Sequence, residues 1–177
     1  MMKHLLSIAL LMMPAAALQG QQLRLESLDK LGAKATNTIN VNLDSSLLRL
    51  ASKFLSSGDA DEIQIKKLVA GLRGIYVRNF EFARTGQYLD SDVEAIRGQL
   101  RDRNWKHIVE VRGRDNADVC VRQEGDAITG LAVLYSEPTE LTVVYIDGPI
   151  DLDGLSKLEG NFGIPDDLRN KVERKSK

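Results

Sequence analysis

Between Trp105 and Asp147 the apolar residues recur at every second position. They fall in four runs, Trp105 to Arg112, Val119 to Glu124, Ile128 to Tyr135 and Leu141 to Asp147, separated by short polar stretches. A period of two belongs to strands, whose successive side chains point to opposite faces of a sheet. Turns as short as Glu137-Pro138-Thr139-Glu140, with proline where a turn favours it, cannot carry the chain across a sheet. Consecutive strands must therefore pair antiparallel, as a meander. Leu141 to Ile146 is apolar on both faces, which places it inside the sheet rather than at an edge.

Upstream the period changes. Gln21 to Lys34 reads as an amphipathic helix with Leu23, Leu28 and Leu31 on one side. Thr36 to Leu43 alternates as a half-buried strand, with Thr38, Asn40 and Asn42 opposite Ile39, Val41 and Leu43. Asp44 or Ser45 then caps a helix whose Leu47, Leu48, Ala51, Phe54 and Leu55 form one apolar stripe ending at Gly58. A second helix starts at the acidic residues Asp59 to Glu62 and buries Ile65, Leu68, Val69 and Leu72. Ile75 to Phe82 is a strand of aromatic and branched residues. Ser91 and Glu94 have the spacing of a capping box for a third helix, with Val93, Ile96 and Leu100 inward. The expected fold class is α+β: an antiparallel sheet of four to six strands with helices packed on one face.

The ends read differently from this domain. Lys3 and His4 precede an apolar run from Leu5 to Met13, followed by the small residues Ala15, Ala16 and Ala17. That order is a secretory leader, cleaved after Ala17 or, as a second choice, after Gly20, and it is too short to span a bilayer. About 160 residues remain, enough for one domain with a core of its own. The domain runs from 18 to 165, and residues 166–177 form a polar tail. No later stretch is apolar and long enough for a transmembrane anchor. The 24 basic and 25 acidic residues are interspersed, so no basic stripe invites nucleic acid or anionic lipid.

Several residues invite a chemical reading, and each has a plainer one. Gly148 to Pro165, GPIDLDGLSKLEGNFGIP, resembles a calcium loop only in part. With Gly154 at the sixth position, Pro149 takes the first and Gly160 the twelfth, where carboxylates are required. A helix capped by Asp151 and ended by Gly160, Gly163 and Pro165 accounts for the same residues. His107 and Cys120 are the domain's only histidine and cysteine. Charge pairing of Lys106 with Glu124 and of Arg112 with Asp118 sets Val109 against Val121 and puts the two on opposite faces. That register makes His107 a core histidine and disfavours a Cys-His nucleophile. Histidine-rich zinc sites fail by count, and no other cofactor is indicated. Glu137, Glu140, Asp147 and Asp151 flank one edge of the meander and are the candidate carboxylates for a hydrolase. Tyr76, Arg78, Phe80 and Phe82 share one strand face, either as an interaction surface or as a core face whose arginine reaches the rim.

Three segments, LDSSLLRLASKFL (43–55), GLRGIYVRNFEF (71–82) and SEPTELTVVYIDGPIDLDGLSKLEGNFGIP (136–165), together resemble the bacterial family of domain of unknown function 4252. The resemblance implies an exported protein of Gram-negative bacteria and assigns no catalytic residue. Some relatives carry a lipid on an N-terminal cysteine, which this chain lacks. The expected function is a non-catalytic envelope protein, periplasmic or secreted, that binds another protein or a small ligand. A carboxylate hydrolase and a carrier of a small apolar ligand are the alternatives.

Overall fold

A computed structural model describes residues 22–54 and 60–151. The leader, and the helix expected after Asp151, lie outside these residues. Six strands form one sheet: β1 (Asn37–Asp44), β2 (Gly74–Glu81), β3 (Trp105–Val111), β4 (Asn116–Glu124), β5 (Ala127–Glu137) and β6 (Glu140–Asp147). Their spatial order is β1-β2-β6-β5-β4-β3, and every neighbouring pair is antiparallel. The meander β3 to β6 is present as the alternation predicts, and β6 lies inside the sheet with β2 on its far side. Helices α1 (Ser45–Ser52) and α2 (Ala60–Ala70) separate β1 from β2, and α3 (Asp90–Leu100) separates β2 from β3. The fold class is α+β.

One face of the sheet supplies Phe80, Leu141, Val143, Tyr145, Leu134, Ala132 and Cys120 to the core. It is covered by α3, through Val93, Ile96 and Leu100, and by the N-terminal segment, through Leu23, Leu25, Leu28 and Leu31. Glu26–Ala33 of that segment is a 3₁₀ helix rather than the longer α-helix expected over 21–34. A 3₁₀ turn stacks side chains three apart, so Leu28 and Leu31 meet the sheet together. Helix α3 also departs from expectation. It begins at Asp90, and Asp92 rather than Glu94 reaches back, accepting a hydrogen bond from the Leu89 backbone N–H at 2.9 Å. Asp92 is buried, and Lys30 of the 3₁₀ helix holds it at 2.7 Å. Burial opposes its ionisation, and the Lys30 ammonium and the Leu89 N–H outweigh burial, keeping the carboxyl below its ordinary range.

The opposite face is also apolar. Val41, Val77, Val144, Val133, Val119 and Val109 stand side by side, one from each strand, in a row across the whole sheet. All are half-buried except Val109, which is exposed. At the end of β6, Gly148 adopts φ +131°, and a Cβ there would lie 2.7 Å from Leu72 Cα. Only glycine fits where this turn crosses the α2–β2 connection.

The two helices between β1 and β2 fall short of the burial their patterns predict. Asp44 caps α1 as expected, accepting from the backbone N–H of Ser46 and Leu47 at 2.8 and 2.9 Å. Of the predicted α1 stripe within the described residues, only Leu48 is buried, while Leu47, Ala51 and Phe54 are exposed. In and after α2, the expected inner residues Ile65, Leu68, Val69 and Leu72 are half-buried. Strand β1, expected to be half-buried, is an edge strand exposed along most of its length.

Candidate functional site

The charged residues of the sheet are the first place to look for chemistry, because two aspartates point into the core. Asp147, on β6, receives two arginines. Arg122 of β4, 2% exposed at its side chain, donates to it at 2.5 Å, and Arg73 donates at 2.9 and 3.2 Å. The remaining donors of Arg122 go to Tyr145 Oη at 3.1 Å and to the side chain and carbonyl of Thr129. Its guanidinium lies 5.7 Å from the centre of the Trp105 ring. Gly130 stands directly opposite Arg122, and a Cβ there would come within 3.2 Å of Arg122 and 3.3 Å of Trp105. The missing side chain makes room for the stacked pair. Burial disfavours ionisation of Asp147, but the two arginines overcome it and hold the carboxyl below the usual carboxylate range. Burial pushes the Tyr145 hydroxyl up to about 12.

Asp118, fully buried on β4, repeats the pattern with Arg97 at 3.1 Å and Arg112 at 2.5 Å. These arginines line an open cleft of about 620 Å³ between the start of α3 and the β3–β4 and β5–β6 turns, together with Tyr88, Arg114, Asn116 and Glu137. Its walls carry both signs of charge. Arg97 also pairs with Glu94, and Arg112 with Glu110.

His107 and Cys120 are where the register expectation fails. A bulge at Ile108 shifts β3, so His107 stands directly opposite Cys120 on the core face, and Val109 meets Val119. The expected pairing of Val109 with Val121 is replaced by Val109 with Val119, and the one inserted residue brings His107 to the face of Cys120, a solution simple alternation does not reveal. The histidine is not a core residue; it is exposed on the edge strand, with Nε2 3.9 Å from Asp118. Cys120 is fully buried, and burial lifts its thiol to about 11, so it is protonated near neutral pH and a poor nucleophile. The two residues are neighbours without the lowered thiol that a catalytic pair requires.

The candidate carboxylates do not gather either. Glu137 and Glu140 flank the turn that opens β6, while Asp147 ends it, roughly 20 Å away at the rise of an extended strand. Glu140 accepts from Asn79 Nδ2 at 2.7 Å and from Thr142 Oγ1 at 2.9 Å, and Glu137 from Tyr135 at 3.2 Å. Among the described residues no three His, Cys, Asp or Glu side chains converge as metal ligands would. Tyr76, Arg78, Phe80 and Phe82 do share one face of the chain, and that face packs inward. Arg78, Phe80 and Phe82 are buried, Tyr76 stacks on Tyr145 at 5.7 Å, and Arg78 is taken up by Asp29 and Asn42.

Among the described residues, the largest group of exposed apolar side chains lies in one segment. Ile39, Leu47, Leu50 and Phe54 are four of the seven large apolar side chains exposed among the described residues, and all fall within residues 37–54. Leu47, Leu50 and Phe54 follow at spacings of three and four, the interval that lines up one side of a helix. Beside them runs β1, whose outer edge pairs with no described strand. The periodicity of α1 marked Leu47 and Phe54 in the sequence, but as core, and it did not include Leu50.

Fold and surface together describe an α+β sheet protein with internal charge pairs and an apolar flank. The profile of DUF4252, a domain of unknown function, matches residues 32–158, and the chain belongs to that family. No curated protein and no solved structure matches it. No helix among the described residues is long and apolar enough to cross a membrane.

Proposed function

We propose that this chain is a non-catalytic binding protein of the bacterial envelope, periplasmic or secreted, and that it engages another protein through the β1–α1 flank. One observation carries the reading: four of the seven large apolar side chains exposed among the described residues lie within residues 37–54, and single scattered ones would need no explanation. The groups best placed for catalysis support it from the other side. Cys120 and Tyr145 stay protonated near neutral pH and Asp147 stays ionised between two arginines, so none of the three exchanges protons in the range a general acid or base needs. Export rests on the leader pattern from Lys3 to Ala17 and on the resemblance to exported relatives.

The test is cross-linking capture of the tagged, full-length protein from its native envelope, read by mass spectrometry. A Leu47→Ser/Leu50→Ser/Phe54→Ser variant should lose the partner recovered by the wild type while keeping its circular dichroism. Capture unchanged by the three serines would remove the flank from the account.

A further inference from the structure

The two edges of the sheet are built differently, and the difference bears on what β1 pairs with. An edge strand exposes unpaired N–H and C=O groups, and proteins guard such edges with charges, bulges or short strands. β3 has two of these guards: the bulge at Ile108, and the exposed charged or ionisable side chains Lys106, His107 and Glu110. β1 has neither. From Ala35 to Leu43 the chain carries no charged residue and no proline, and its pairing with β2 runs without a register shift.

We propose that β1 pairs with β1 of a second copy of this chain, antiparallel across a two-fold axis at Val41, joining two six-stranded sheets into one of twelve. This deepens the reading above by naming the partner, and it rests on that reading. Three features favour a second copy. A two-fold contact needs a surface complementary to itself, and a strand whose one charge, Asp44, falls opposite Thr38 opposes no like charges. With Val41 on the axis, Ile39 meets Leu43 of the other copy, Asn40 meets Asn42, and Thr38 meets Asp44, so apolar faces apolar and polar faces polar. The valine row that crosses all six strands then continues unbroken into the second sheet. The assembly also closes, since the edges left outside are the two guarded β3 strands. It is a dimer and not a fibre.

Sedimentation equilibrium of the mature full-length protein tests this directly. The wild type should be dimeric at micromolar concentration. Ile39→Lys, at a position already half exposed, should fold normally and dimerise at least 100-fold more weakly. Val41→Cys should form a disulfide-linked dimer on mild oxidation, whereas the wild type, whose single cysteine is buried, should not. A wild type that stays monomeric at 100 micromolar, or a dimer indifferent to Ile39→Lys, overturns self-pairing. In the first case, envelope capture that is lost with the serine variant would leave the broader binding reading standing, so the two failures are distinguishable.

Discussion

The Arg122–Asp147 end of the sheet and the β1–α1 flank invert the usual arrangement of a soluble fold. In the first region full charges are buried, and in the second leucine, isoleucine and phenylalanine face outward. What separates them is the supply of partners. Asp147 sits where two arginines, a tyrosine and a bulged threonine converge, so nearly every buried donor and acceptor is matched. The apolar side chains of residues 37–54 lie on the last strand of the sheet and the short helix after it, where only Leu48 is covered. Polarity alone predicts neither region. The set of neighbours that each position meets predicts both.

The largest effect expected from disturbing this contrast is inside. Asp147→Ala leaves the Arg122 guanidinium buried without its anion and should cost about 3–5 kcal/mol in urea unfolding, while leaving association through β1 intact in the folded fraction. A smaller loss, roughly 1–3 kcal/mol, is expected for Gly148→Ala, which forces a side chain into a left-handed turn against Leu72.

Acid should expose the charge pair selectively. Because the folded Asp147 carboxyl lies below its unfolded value, its stabilisation is complete above about pH 4 and is lost as pH falls through the depressed folded value. Wild type and Asp147→Asn should therefore differ most in stability above pH 4 and converge below it. Equal differences at pH 7 and pH 2.5 would show that the carboxylate is not held by its arginines. On the flank, the Leu47, Leu50 and Phe54 serine variant should shift stability by no more than about 1.5 kcal/mol, about 0.5 for each surface substitution, although it abolishes binding. A large loss of stability would place these side chains in the core after all, and the contrast would collapse.

Much of the fold could be read from the chain. Alternation between Trp105 and Asp147 specified the meander and its central strand, because a period of two is local and turns of two to four residues leave one pairing direction. Residues that depend on distant partners were harder. The bulge at Ile108 adds one residue that alternation does not reveal, and Val109 meets Val119 rather than Val121, so charge matching chose the wrong register and put His107 in the core. Helix α1 carries a stripe that looks like core, yet its place after the last strand of the sheet leaves Leu47 and Phe54 outside. The Arg122 network left one trace. Gly130 interrupts an otherwise continuous strand, and a glycine there signals that something large passes close by.

The central claim, that β1 is an edge which takes up another strand while β3 is one that refuses it, can be tested by amide hydrogen exchange on the wild type at increasing protein concentration. The account predicts that protection of the β1 amides, Asn37 to Leu43, rises with concentration while the β3 amides, Trp105 to Val111, exchange at a constant rate. Exchange in β1 that does not change with concentration, or β1 and β3 protected in parallel, would contradict it.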